Sequence, residues 1–235
     1  MSEADILIIP AASIAFLHTV LGPDHYLVFT ALGKARGWSL PKTLRVTFLC
    51  GAGHVLGSVL LGGIGILAGA ELARLMTIEG VRGNIAGYAL LAFGLVYTVW
   101  GIRKGVRDRA HTHVHTHGEV VHSHEHDHHG DHTHVHDEAA KSSITPWALF
   151  IVFVLGPCEA LIPLFMYPAA QESMGLVAIV ATVFGVVTLL TMLLGVTLTF
   201  LGVERFRIIS PGHYAHAVAG ASIVICGSAI SFLGL

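Results

Sequence analysis

Apolar residues run along this chain in blocks of about twenty, and the polar positions between the blocks fall at comparable intervals. A bilayer-crossing helix needs about 20 mainly apolar residues. That criterion predicts six spans, at about 4–22, 44–68, 83–102, 146–167, 174–201 and 213–234. The stretch 70–82 (AELARLMTIEGVR) mixes polarities and reads as a short interfacial piece, while 26–40 (YLVFTALGKARGWSL) reads as a half-helix completing the first span. Composition agrees. Of 235 residues, 54% are hydrophobic and 12% charged, with a mean hydropathy of +0.72, and soluble domains carry about twice that charge fraction. The expected fold is an all-α integral membrane protein.

All 13 basic residues lie outside the apolar cores. Lys34, Arg36, Lys42 and Arg45 follow the first span, Arg103, Lys104, Arg107, Arg109 and Lys141 flank the loop after the third, and Arg205 and Arg207 follow the fifth. Arg74 and Arg82 alone fall in even-numbered loops, and this asymmetry predicts cytoplasmic odd loops with both termini outside. The expected location is a cell inner membrane, crossed several times. The start, MSEADILIIP, lacks the basic residues of a signal peptide and is expected to be retained. A net charge of -2 with no basic patch excludes a nucleic-acid surface. Cys50, Cys158 and Cys226, odd in number and each in apolar sequence, define no disulfide framework.

Composition divides the chain into residues 1–106, a first three-helix unit, 107–143, a polar loop, and 144–235, a second three-helix unit. The loop carries 12 of the 17 histidines: His111, His113, His115, His117, His122, His124, His126, His128, His129, His132, His134 and His136. Too few apolar residues lie there to bury a core, so the composition reads as a disordered cytoplasmic segment able to buffer metal ions. A solvated tether is the plainer reading.

Shifting the sequence by 134 residues lays VLGPDHYLV (20–28) on VLGPCEALI (154–162), and at the same shift Gly51 meets Gly185 and His54 meets Thr188. One offset joins two separate places. Because each half holds three expected spans, the second would enter the membrane from the opposite side, an inverted repeat with broken helices at Gly22-Pro23 and Gly156-Pro157. Beyond the breaks come Asp24-His25 and Cys158-Glu159; His18 precedes the first break and His54 lies within the second span. Ionisable groups at bilayer depth are costly unless paired or facing a polar cavity. Imidazole, carboxylate and thiolate together suit a divalent transition ion such as nickel, cobalt or zinc. His18, Asp24, His25 and His54 form the leading ligand set, with Cys158 and Glu159 next.

Plainer roles stand beside these. Gly-Pro can mark only a kink, His54 in GAGHVLGS can bond across a helix interface, and Cys50, Cys226 and Cys158 can each be small buried hydrophobes. His213 and His216, at i and i+3 near the start of the last span, read equally as a cytoplasmic relay for the ion or as helix-start hydrogen bonders.

Six spans, the HTVLGPDH cluster, the GAGH motif and a His-rich central loop resemble the nickel/cobalt transporter superfamily, which includes six-span efflux permeases and urease-accessory-like membrane proteins. HTVLGPDH has five residues between His18 and Asp24 where the nickel permeases' signature has four. The resemblance implies a metal role for His18, Asp24, His25 and His54. GPCEALIPLF also resembles the transmembrane thiol-disulfide carriers of the cytochrome c biogenesis type, although the counterpart of Cys158 at the 134-residue shift is Asp24 rather than a second cysteine. The sequence is thus read as a transporter moving a divalent ion by alternating access, with proton coupling as a hypothesis. It is read as no enzyme, with the ion as substrate and no organic cofactor. Expected partners are the lipid bilayer, metal ions and a cytosolic metallochaperone. A thiol-disulfide electron carrier, a non-transporting accessory protein for metalloenzyme assembly and an anion exporter are the competing classes.

Overall fold

A computed structural model describes residues 3–69, 71–107, 111–117, 120–126, 138–156, 158, 160–170, 173–206 and 212–233, with side chains over 6–69, 71–107, 146–156, 158, 160–169, 173–205 and 212–233. Eight helices carry it: α1 (Glu3–Leu21), α2 (Asp24–Ala35), α3 (Leu40–Leu67), α4 (Leu72–Arg107), α5 (Glu138–Leu155), α6 (Leu161–Ala170), α7 (Met174–Phe206) and α8 (Ala215–Leu233). Among the described residues, α3, α4, α7 and α8 are each long and apolar enough to cross a membrane, and α1 with α2 makes a fifth candidate bent by 44°. The expected continuous helix at 146–167 is divided, since α5 ends at Leu155 and α6 begins at Leu161. Among the described residues four helices, or five with the bent pair, have the length and composition of a span.

One further expectation is corrected: residues 72–82 are not a separate short piece but the first turns of α4, a helix of 36 residues. Within 107–143 the described residues include an antiparallel hairpin of β1 (His111–His117) and β2 (Val120–His126). HTHVHTH and VVHSHEH alternate histidine with Thr, Val, Ser or Glu at period two, a strand pattern that composition alone overlooks. Its register sets His111 opposite His126, His113 opposite His124 and His115 opposite His122.

The helices bury their smaller, more polar faces and turn apolar bulk outward. On α3 the buried positions include Thr43, Thr47, Cys50, Gly51, His54, Ser58, Gly62 and Gly65, while Leu56, Leu60 and Ile64 are exposed. On α7, Val186, Leu190, Leu194 and Leu198 repeat every four residues along one exposed stripe. This is the arrangement expected when lipid is the solvent, because tails solvate leucine and only close packing or hydrogen bonding draws helices together. Buried Thr19 and Thr47 donate their hydroxyls to the Ala15 and Thr43 carbonyls four residues back, at 2.8 and 3.0 Å, so neither is left unsatisfied.

Turns are set locally. Gly37 takes φ 63° after α2, its amide reaching the Lys34 carbonyl at 3.2 Å and the Trp38 amide the Gly33 carbonyl at 2.8 Å. This is a Schellman closure, for which glycine is the favoured residue. One buried cluster gathers Phe29, Leu32, Leu90, Phe153, Met192 and Ile223, and a second gathers Ala11, Ala15, Cys158, Leu161, Phe165 and Phe184.

The antiparallel pair α4 and α8 meets through glycines. A Cβ at Gly94 would stand 2.7 Å from the Val224 amide, one at Gly220 2.5 Å from that of Thr98, and one at Gly227 2.6 Å from that of Leu91. Backbone cannot swing aside as a side-chain tip can. Gly94→Ala is therefore expected to lower stability by about 1–3 kcal/mol through overpacking, despite the roughly 1 kcal/mol helical preference for alanine. Gly63→Ala, where nothing lies within 4 Å of the added carbon, is expected to be neutral or stabilising. Thermal unfolding of both variants in detergent checks the pair.

Candidate metal centre

The break between α1 and α2 brings three histidines together. Proline lacks an amide donor and crowds the preceding turn, so α1 stops at Leu21 and α2 starts again at Asp24. His18 then sits in the last turn of α1 and His25 in the first turn of α2, with ring centroids 5.0 Å apart. From mid-α3, His54 lies 5.4 Å from His25 and 6.5 Å from His18 by the same measure. One ring nitrogen of each histidine lies within 4.8 Å of one from each of the others.

Tautomer follows from the partners. The Nδ1 of His25 is 3.1 Å from the Gly22 carbonyl and 3.2 Å from the Asp24 carboxylate, and the Nδ1 of His54 is 3.2 Å from the Phe153 carbonyl. Carbonyl oxygens only accept, so in both rings Nδ1 carries the hydrogen and donates. In a neutral imidazole that leaves Nε2 with a free lone pair. The Nε2 atoms of His18, His25 and His54 are all buried without a hydrogen-bond partner. An orphaned buried polar atom is costly, and three lie side by side here as a candidate donor set. Carbonyl and carboxylate groups behind a ligating imidazole are the usual outer shell of a metal site.

These side chains line a cavity of about 50 Å³ with Asp24, Leu90, Phe153, Gly156 and Ile230. A metal ion held there would take ligands from three imidazoles, with Asp24 supplying compensating charge.

The Gly-Pro breaks are now explained beyond kinking. A Cβ at Gly22 would lie 2.5 Å from the Nδ1 of His25, and one at Gly156 would lie 3.1 Å from the Nδ1 of His54. Both glycines make room for a histidine ring.

Other expected residues fall elsewhere. Asp24 faces the cavity, but its carboxylate meets the outer nitrogen of His25, so it backs a ligand. Cys158 is fully buried in the second apolar cluster, its amide donating to Glu79 at 3.2 Å, and it does not line the cavity. Glu159 lies outside the described residues. His213 is exposed. His216 is committed elsewhere: its Nδ1 is 2.9 Å from the Tyr97 hydroxyl, its Nε2 is 3.4 Å from the Lys104 ammonium, and its ring meets Trp100 edge-on at 4.9 Å. A lysine there opposes cation binding. Of the loop histidines, seven lie on β1 and β2, and His128, His129, His132, His134 and His136 lie outside the described residues.

Glu79 and Arg82 were missed. Assigning them to an interface hid a helical signal, for Leu75, Glu79, Gly83, Ala86 and Leu90 recur on one buried face of α4. An acid and a base three residues apart on that face were the available cue.

Comparison with protein-family models, with curated proteins and with solved structures finds no match.

In cobalt or nickel titrations of the detergent-solubilised protein, His25→Ala and His54→Ala are expected to abolish the high-affinity phase, and Gly22→Ala to weaken it by crowding the His25 ring. Because protons and metal compete for the same imidazole nitrogen, affinity should fall as pH falls. At ligand one hundred times Kd, the wild-type protein should gain about 2.7 kcal/mol against unfolding, and His54→Ala none.

Proposed function

We propose that this chain is a membrane transporter whose substrate is a divalent transition-metal ion, nickel, cobalt or zinc, carried through the His18, His25 and His54 site by alternating access. The carrying observation is the convergence of three buried, partnerless Nε2 atoms beside a carboxylate. A structural histidine cluster would satisfy both nitrogens of each ring. Nitrogen donors favour these ions over magnesium and calcium, which prefer oxygen.

The reading includes two inverted halves, 1–106 and 144–235. Support comes from the ends of the first elements, since α1 stops at Leu21 and α5 at Leu155, one 134-residue shift apart. Support comes also from a reciprocal contact. The open side of Gly51 faces Leu189, and the open side of Gly185 faces Val55; the shift carries 51 to 185 and 55 to 189. Residue i meeting the mate of j while j meets the mate of i is the signature of a two-fold relation.

In the proposed cycle the ion exchanges water for three imidazoles, the halves rock, and the ion leaves on the other side. The His-rich segment, cytoplasmic by the distribution of basic residues, serves as an ion buffer. Selection belongs to the buried site.

Ion uptake into proteoliposomes across a panel of divalent cations tests the proposal. Flux of nickel, cobalt or zinc is expected in the wild type, to be lost in His25→Ala and only modulated when 111–136 is deleted. Binding without flux would instead mark an accessory protein. Loss of activity in Cys158→Ser with His25→Ala unaffected would mark a thiol carrier.

A further inference from the structure

The second break, between α5 and α6, is held by a pair of charges that the metal site does not use. Glu79 is completely buried, and Arg82, one turn on along α4, donates to its carboxylate. The same guanidinium donates to the Val154 carbonyl at 2.9 Å and to the Gly156 carbonyl at 3.3 Å. The other carboxylate oxygen of Glu79 accepts the Cys158 amide at 3.2 Å.

A helix end leaves its last carbonyls without partners and carries partial negative charge, while the start of the next leaves free amides and partial positive charge. At this break the base sits on the carbonyls that end α5 and the acid takes an amide just ahead of α6. Each charge is on the side that the helix dipoles favour.

The neighbouring carbonyl in that last turn, Phe153, is the one that accepts from His54 at 3.2 Å. Gly57, one turn from His54 on α3, leaves the guanidinium its approach: a Cβ there would stand 3.0 Å from the Val154 carbonyl and 3.1 Å from Arg82 Nη2.

We infer that Glu79 and Arg82 form a clasp on the second helix break, and that this clasp positions the His54 ring by fixing the end of α5 against it. Both are positioning residues, and neither is a ligand. The clasp stands on geometry alone, whereas its consequence for metal rests on the function proposed above.

Two readouts separate them. With Cys50→Ala and Cys226→Ala in the background, Cys158 is the sole thiol, and its alkylation by N-ethylmaleimide without metal reports whether the break is held. The Co(II) visible spectrum and affinity report the histidine site. Arg82→Gln alone would strand a buried carboxylate, so the main variant is Glu79→Gln with Arg82→Gln. It is expected to raise the Cys158 alkylation rate about tenfold, to shift the Co(II) bands, and to weaken Co(II) about tenfold or more, as outer-shell losses do. Arg82→Lys, which keeps the charge but lacks the fork that spans two carbonyls, should restore the alkylation rate only in part.

Lys34→Gln removes the 3.0 Å pair with Glu204 elsewhere in the structure, and should leave both readouts at wild-type values. If the double variant does not purify as a monodisperse protein, Gly57→Ala takes its place, displacing the guanidinium while keeping both charges, with a smaller rise expected.

An unchanged alkylation rate in the folded variant overturns the clasp, and so does an equal rise in Lys34→Gln. A raised rate with wild-type Co(II) spectrum and affinity overturns the positioning role. No Co(II) binding by the wild type refutes the proposed function, while the alkylation result still decides the clasp.

Discussion

A neutral imidazole has one donor nitrogen and one acceptor nitrogen, and everything at this site depends on which is which. The Gly22 and Phe153 carbonyls fix the donor side of His25 and His54, which aims the acceptor side inward. Both carbonyls lie at the ends of broken helices, where each accepts the amide three residues on, Gly22 from His25 and Phe153 from Gly156, and keeps a second lone pair for the ring. The two breaks are thus the source of the backbone acceptors that orient the rings.

The halves do not contribute equally. His18, Asp24, His25 and His54 all come from the first, while the second supplies Phe153, Gly156 and Ile230 as cavity wall. At the positions the 134-residue shift matches to His54 and Asp24 stand Thr188 and Cys158, both fully buried. On the repeat reading, one half has kept the ligands and the other their scaffold. The clasp fits this division, since a break without ligands needs another means of holding its shape.

How much of this was legible in the sequence varied with the range of the interaction. The apolar blocks announced the long helices, and Gly-Pro announced both breaks, because chain stiffness and hydropathy are local. His18, His25 and His54 were legible as a set because ionisable residues are conspicuous in apolar surroundings. Contacts between distant residues were not legible. Cys158, expected as a secondary ligand or a small buried hydrophobe, packs in an apolar cluster with its amide held by Glu79, 79 residues away. Glu79 and Arg82 looked interfacial because a window average over 70–82 dilutes a helical face. His216, read equally as a relay or as a helix-start hydrogen bonder, meets Tyr97 and Lys104, more than 110 residues earlier in the chain. The strands at 111–126 were missed for the opposite reason, since composition outweighed a period-two pattern that was plainly present.

The link between His54 and Phe153 joins the two halves directly at a candidate ligand, and this bears on how an ion bound by three imidazoles would be let go. On the proposed function, three nitrogen donors and a nearby carboxylate would hold a divalent ion tightly, and a carrier that binds its cargo equally well in every state releases it slowly. Rocking of one half against the other would draw the Phe153 carbonyl away from His54. The ring would then lose the partner that fixes its tautomer and its angle, and a three-nitrogen site would become a two-nitrogen site open to water. Affinity would fall because the lost outer-shell contact costs the site one imidazole ligand. On the proposed cycle, a bond between the halves is therefore the one whose breakage sets the cargo free.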